Sequence, residues 1–474
     1  MATFSQAISQ IGSGHLDPYM TTVAYNYPHY GYWFYQDHFS LIMWPLSVLF
    51  TLFRTTFFLL VVQDLALVGS GIVIFRWGLE IVGKTEAISK VQGVLIGLGL
   101  LVILISCPSL YWAGSFDFHV QPLAILFALA CFRDLWHNNR RVWVWVLLVL
   151  ACGDVATTYL LVVALVGLSF GKDQRTSSLG ILLATFIQFE LIGLLGADKG
   201  SHLETDFAYL AHGKVPGGLL GLVVIGSGIL VHPTTALRVI GQRFTNIFAY
   251  ISAAGTVGLA SIIGIIGFVT INLTNSLDRY RVFISPIAGF QNLAGVLFLV
   301  IGWVLVSRQL AVHLRGFGPS IYKKMATVMA CAIVLVGPIQ VLVGATKVPG
   351  QLSAQFNRVA KATSSELSTV SKMIPARAEL VASQGIVGRF GDRRWVYPFI
   401  EAFPNGQTFP LNSSEIYFVL VPNQGIESAT PSATLHAEVF LESIHAKSLV
   451  NKDGVDLLVL QEPKSATSLT IALP

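Results

Sequence analysis

The sequence predicts an all-α polytopic membrane protein of about ten transmembrane segments with a small C-terminal extracytoplasmic α/β domain, and three observations lead there. Of 474 residues, 54% are hydrophobic and 12% charged, with a mean hydropathy of +0.67, whereas soluble domains carry about 25% charged residues. Apolar runs long enough to cross a bilayer recur up to residue 347 and then stop. From residue 350 onward the chain turns mixed and polar. This pattern excludes cytosolic enzymes, nucleic-acid binders and disordered scaffolds. The net charge of +5, from 30 basic and 25 acidic residues, describes how Lys and Arg are shared among loops and implies no nucleic-acid partner.

In chain order, residues 1–39 hold no spanning run and form a first loop. Residues 40–53 (SLIMWPLSVLFTLF) are too short and too close to the next run to span, and read as a re-entrant or interfacial helix. A crossing needs about 20 apolar residues, because every backbone N–H and C=O must be satisfied within the segment. That rule gives spans near 56–78, 91–112, 177–197, 246–273, 284–306 and 326–346, with shorter ones near 120–133, 142–152, 155–170 and 215–231. The chain thus divides into a loop (1–39), a transmembrane helical domain (40–349) and a tail domain (350–474). In the tail, IPARAELVAS and SEIYFVLVP each supply or lead into a strand of a small α/β fold. Cys107, Cys131, Cys152 and Cys331 all lie in apolar runs and read as small core residues, without a disulfide framework.

Lys and Arg favour the cytoplasmic side. With 56–78 running inward, the inner loops hold Arg76, Lys84 and Lys90, then Arg133, Arg140 and Arg141, then Lys172 and Arg175, and later Arg308, Arg315, Lys323 and Lys324. The outer turns near 113–119 and 153–154 carry neither residue type. The tail is then extracytoplasmic, and the protein a multi-pass membrane resident. One loop breaks the rule: 274–283 (TNSLDRYRVF) falls outside yet carries Arg279 and Arg281. Residues 1–39 also fall outside without a signal peptide or preceding span to carry them. The expectation is a natural reading frame that extends upstream through one more helix, or a different threading of the first segments.

The chemistry-bearing residues gather on the outer face: Asp17 in GHLDPY, Asp37 and His38 in YQDHFS, Asp117 and His119 in SFDFHV, and Asp154 in ACGDVATTY. Ionisable groups are costly inside a bilayer and line a cavity, pathway or site. Asp154 sits between two apolar runs too short for full crossings, which places its carboxylate below the membrane surface in a hydrated pocket. There it can act as general base towards an acceptor hydroxyl, with a histidine orienting it or contacting a phosphate. Simpler readings stand beside these. Asp17 and Asp117 also fit turns in which the carboxylate caps backbone, and His38 and His119 fit interfacial histidines bonded to carbonyls. The series Tyr25, Tyr27, Tyr30, Tyr32, Trp33, Phe34 and Tyr35 fits an interface belt, although sugar sites also use aromatic stacking platforms. Arg279 and Arg281 suit a lipid phosphate through bidentate hydrogen bonds, or pair with Asp278 or headgroups. No metal-ligand spacing, phosphate-binding glycine loop or HExxH helix occurs, so no cofactor is implied and a divalent metal has no support in the sequence.

The segments TFSQAISQIGSGHLDPYMTT, DHFSLIMWPLSVLF, FFLLVVQDLALVGSG and FDFHVQPLAILFAL resemble an uncharacterised family of multi-spanning bacterial membrane proteins related to the GT-C glycosyltransferases, which use polyprenyl-phosphate sugars. The likeness continues through DFAYLAHGK, VHPTTAL, RYRVFISPIAGFQ and IPARAELVASQGIVGRFGDRRWVYPF. The resemblance implies a GT-C-like helical body with a cavity facing away from the cytoplasm. A polyprenyl-phosphate sugar donor would enter it from the membrane lipid, and an acidic residue would activate an envelope acceptor. The family's D-H pair falls on Asp37 and His38, its D-F-H on Asp117, Phe118 and His119, and its Lys-Glu-Asp turn near Cys152, Gly153 and Asp154. The Lys and Glu of that turn are absent here, as are the family's first helix and the acidic segment before TFSQAI.

Three functions follow. The first is a glycosyltransferase moving a sugar from a polyprenyl phosphate to a cell-envelope acceptor, with inversion implied by the superfamily. The second is a transporter or flippase of lipid-linked precursors, which would need a polar pathway to the cytoplasmic side and broken-helix repeats that the sequence does not display. The third is a degenerate, non-catalytic envelope protein that binds a lipid-linked sugar or a partner.

Overall fold

The computed structural model describes residues 2–22, 31–53, 57–83, 117–168, 170–194, 218–238, 359–401, 406–423, 429–461 and 467–472, with isolated positions between them. The chain forms two compact units. One gathers Met1–Asp37, Met43–Leu59 and Pro349–Pro474, and the other His38–Ile42 and Leu60–Val348.

The helical unit is built on α4 (Phe57–Gly83), α5 (Gln121–Trp136), α6 (Val142–Ala151), α7 (Asp154–Gly167), α8 (Lys172–Leu194) and α9 (Gly218–Val231), numbered after three helices introduced below. Among the described residues, Phe57–Glu80 and Lys172–Leu194 are long and apolar enough to cross a membrane. The shorter helices α5, α6, α7 and α9 lie over the shorter runs of the sequence. The predicted spans 246–273, 284–306 and 326–346, and most of 91–112, lie outside the described residues.

Polar contacts fix the direction of α4 against α5. Near one end the Gln63 side chain accepts the backbone N–H of His119 at 2.9 Å. Midway, Gly69 lies against Leu126, where an added Cβ would stand 3.2 Å from the leucine methyls. At the other end Glu80 takes both Arg133, whose Nε donates at 3.0 Å and whose Nη2 closes a second contact, and His137 at 2.9 Å. Rising numbers pair with rising numbers, so α4 and α5 are parallel. The sequence places the predicted 91–112 span in the interval between them. The α5–α6 turn is tight, with Asn138 at φ 53°, and the Trp145 indole donates to Asp134 at 2.8 Å, setting the antiparallel register.

The other unit contains a three-layer α/β domain. Its five-stranded sheet has the order β4 (Val396–Phe399), β3 (Glu379–Ser383), β6 (Glu415–Leu420), β8 (Val455–Gln461), β7 (Lys447–Lys452). β3 runs parallel to β4 and β6, while β6–β8 and β7–β8 are antiparallel. β3 is buried at all five positions, as expected of a strand covered on both faces. Alternation along β6 and β8 sends Phe418, Leu458 and Leu460 towards α11 (Pro431–Ser443), and Val419, Leu457 and Val459 towards α10 (Lys361–Met373). Thr430 caps α11 by accepting from Ala433 N, with Pro431 at the first helical position. Asp453 (φ 53°) and Gly454 (φ 73°) close the β7–β8 hairpin with the positive-φ pair such turns demand. A separate antiparallel pair joins β5 (Gln407–Pro410) to β9 (Ser468–Ile471).

The first loop folds onto this domain. In α1 (Ala2–Gly12), Gln6 is fully buried. Its amide donates to Thr21 Oγ1 and to the Arg394 carbonyl, each at 2.9 Å, and accepts from the Thr21 backbone at 2.9 Å. The Thr21 hydroxyl donates to Val396 O at 2.7 Å, binding the loop to the edge of β4. Gly391 admits α1, since a Cβ there would stand 2.8 Å from Ser5 Cβ. Just before Thr21, β1 (Tyr19–Met20) pairs antiparallel with β2 (Tyr32–Trp33) in a ribbon that is followed by the short α2 (Phe34–Asp37). α3 (Met43–Phe53) packs on α1 through Met43, Leu46, Ser47 and Phe50 and exposes Val48, Leu52 and Phe53 on its other side. The sequence separates 1–39 from 350–474; in the fold Met1–Asp37 and Pro349–Pro474 share one unit.

Candidate functional site

The residues at the end of α6 determine the site. Its last turn leaves carbonyls without intrahelical partners, and the His38–Ile42 segment supplies two of them: Ile42 N donates to Ala151 O at 2.7 Å, and the Ser40 hydroxyl to Cys152 O at 3.1 Å. Gly153 then turns the chain at φ +112°, where a Cβ would fall 2.7 Å from the Phe39 carbonyl oxygen. Only glycine fits both the backbone angle and the approach. Asp154 follows as the first residue of α7, and Thr157 ties that turn back by donating to Gly153 O at 2.9 Å. The backbone of the His38 segment is thereby seated on the Asp154 turn. From the Asp134–Trp145 register, this turn lies level with the middle of α5, about 10 Å below the 117–119 turn at 1.5 Å per residue. The helices that flank it have only 10 and 14 residues.

A first prediction arises here. Gly153→Ala should cost about 1–3 kcal/mol in backbone strain alone and displace the His38–Ile42 segment, read as a lower thermal midpoint in detergent. Gly226→Ala on α9, with nothing within 4 Å of its new methyl, should leave the midpoint unchanged or raised.

The second turn is anchored by Phe118, which is fully buried. His119 Nδ1 lies 2.8 Å from the Asp117 carbonyl; a carbonyl only accepts, so Nδ1 carries the proton and Nε2 is the basic nitrogen. Burial pushes the imidazole below the ordinary histidine range, and the charge of His38 acts in the same direction. His119 is therefore a neutral group suited to accepting at Nε2.

The remaining predicted residues are distributed as follows. Asp17 is exposed and accepts the Tyr35 backbone N–H at 3.3 Å, the geometry of a carboxylate closing a turn. Asp37 ends α2. Asp17 and Asp37 belong to the unit that holds the α/β domain, whereas His38, Asp117, His119 and Asp154 belong to the helical unit. Arg279 and Arg281 lie outside the described residues, as do Tyr25, Tyr27 and Tyr30. Sequence reasoning passed over Ser40, Gly153 and Gln63, which hold the two turns. The signal for Gln63 was present: Gln63-Asp64 is a polar pair inside the apolar run FFLLVVQDLALV, and Gln63 is fully buried.

Fold and site together define a helical chain with bilayer-length apolar helices, a recessed acidic turn and a C-terminal α/β domain. No protein-family model matches this chain, and no curated protein matches it. Among solved structures it is similar to ArnT from Cupriavidus metallidurans in the apo state, at 11% identity and a TM-score of 0.34, over 97% of this chain and 92% of that one.

Proposed function

We propose that the protein is a membrane glycosyltransferase of GT-C type that moves a sugar from a polyprenyl-phosphate donor to a cell-envelope acceptor on the extracytoplasmic face. The observation that carries this reading is the seating of the His38–Ile42 segment on the Cys152–Asp154 turn. Two motifs separated by more than a hundred residues meet where short helices leave a recess, which is where a carboxylate can reach an acceptor hydroxyl brought in from one side. In the proposed step Asp154 takes the proton of that hydroxyl as its oxygen attacks the anomeric carbon. The bond to the polyprenyl phosphate breaks, the phosphate leaves with the electron pair, and the configuration inverts. Asp37 and His38 orient the base, and His119, its Nδ1–H held by the Asp117 carbonyl, accepts a substrate hydroxyl at Nε2. Incubation of the purified protein with labelled polyprenyl-phosphate sugars and an envelope extract tests this: turnover is expected, and movement of the lipid across a vesicle without turnover would select a flippase instead.

The outward placement rests on the basic residues around Asn138 and the absence of Lys and Arg from the opposite turns. Cysteine at the exposed Ser414 should react with a membrane-impermeant thiol reagent in intact cells, and cysteine at Asn138 should not; the reverse pattern would invert the site. The donor phosphate is assigned to Arg279 and Arg281, whose guanidinium forks hold their charge in poorly hydrated surroundings. Arg281→Ala should weaken donor binding by roughly 1.5–3 kcal/mol, with Arg281→Lys recovering part of it. Unchanged donor affinity in the double alanine variant would leave these arginines as headgroup anchors.

A further inference from the structure

Where the first loop meets the α/β domain, three aromatic rings from distant parts of the chain come together with a cation. β1 and β2 pair antiparallel with Tyr19 opposite Trp33, which puts both side chains on one face of the ribbon. Their ring centroids are 5.4 Å apart at 75°. Tyr19 also meets Trp395, just before β4, edge to face at 6.2 Å and 67°. The Arg394 guanidinium lies over the Trp395 ring, 5.2 Å from its centroid. The group is built by local constraint: Gly31 has φ +111°, and a Cβ there would fall 2.4 Å from Tyr19 Cε1. Glycine is what lets the ribbon close beneath that ring.

The arrangement is exposed where a core cluster would be covered. Trp33 keeps 47% of its surface, and Arg394 and Asp17 are exposed beside it, with Asp17 bridging to Tyr35 two residues beyond Trp33. A sugar ring matches such a surface. Its axial C–H groups are apolar and slightly positive, and pack on the negative face of an indole. Its hydroxyls meet a planar five-donor guanidinium on one side and a carboxylate acceptor on the other. A bilayer interface also accommodates Trp and Tyr, and insertion of these rings into lipid would overturn the subsite.

We infer that Trp33, Tyr19, Trp395 and Arg394 form a saccharide-binding subsite that holds a sugar unit of a glycan acceptor. The inference rests on the transferase reading for the word acceptor, but saccharide binding itself does not need turnover.

The test uses the full chain in phosphatidylcholine nanodiscs, titrated with tetrasaccharides of mannose, glucose, galactose, arabinose and N-acetylglucosamine while indole emission is followed. At least one should bind saturably in the millimolar range or tighter. Trp33→Ala and Trp395→Ala should each weaken that binding about tenfold or more, with Trp33→Phe recovering part of it because a smaller π-face remains. Trp44→Ala, which removes an exposed indole outside the group, should bind as the unchanged protein does. Failure of all five sugars, or equal binding by Trp33→Ala, would overturn the subsite. Quenching by brominated phosphatidylcholine that disappears in Trp33→Ala would assign the rings to the bilayer interface and overturn it too. Transfer that persists without saccharide binding removes the subsite alone; saccharide binding that persists without transfer removes only the transferase reading.

Discussion

Asp154→Asn should lower sugar transfer at least about a hundredfold in a protein that still folds and inserts, and Asp37→Asn should do the same, the scale expected for losing a general base or the group that orients it. Asparagine keeps the shape and removes the basicity. A carboxylate at the first position of a helix also has an ordinary role, because the macrodipole favours negative charge there by about 0.3–1 kcal/mol. The two roles separate by measurement. A helix-terminal role predicts a small fall in thermal midpoint with transfer retained, and a basic role predicts the reverse. Turnover in single-cycle assays, read beside the midpoint in detergent, decides between them. His119→Ala should reduce transfer less, because water can replace part of a neutral imidazole that only accepts a hydroxyl. Wild-type transfer in both asparagine variants would remove the proposed base from this part of the chain.

The sequence displayed the two short helices around Asp154 through length alone. Apolar runs of about 11 and 16 residues around Asp154 fall short of the roughly 20 that a crossing needs, and the helices that form there are α6 and α7. It displayed the tail strands as short apolar runs in an otherwise polar segment, since ELVAS and EIYFVL become β3 and β6, buried along almost their whole length. It could not display what holds the Asp154 turn, because Ser40 and Cys152 are separated by 112 positions and a serine hydroxyl leaves no periodic trace. The same limit hid the union of the first loop with the tail. Gln6 lies in what the sequence presents as a first loop, and its burial makes sense only once Thr21 and the carbonyl of Arg394, 388 positions away, complete its hydrogen bonds. Tyr19 and Trp395 are likewise unremarkable in isolation. Local propensity and hydrophobic pattern report elements, whereas polar closure between distant segments is visible only in the folded chain.

Glu379→Ala should be the most damaging single change in the α/β domain. The carboxylate of Glu379 is fully buried at the start of β3. It accepts four hydrogen bonds: Tyr397 Oη at 2.7 Å, Asn412 N at 2.8 Å, Asn412 Nδ2 at 2.9 Å and Ser413 N at 2.9 Å. Asn412 Nδ2 also donates to Tyr397 Oη at 2.7 Å, closing a triangle that pins the 411–414 connection against β3 and β4. Alanine strands the buried tyrosine hydroxyl and releases the two backbone donors. Each unpaired buried group costs about 1–3 kcal/mol, and partial rehydration at the exposed Asn412 keeps the sum near about 3 kcal/mol rather than the full total. Glu379→Gln keeps one acceptor but turns an amide N–H towards a donor, so it should cost less than alanine and more than Tyr397→Phe, which removes only one arm at about 1 kcal/mol. Amide hydrogen exchange on the full chain in detergent provides the readout: protection across β3, β4 and β6 should fall in the order Tyr397→Phe, Glu379→Gln, Glu379→Ala, while α5 to α8 keep theirs. Equal protection in all three variants would mean that the triangle is rehydrated in solution and contributes nothing to the domain.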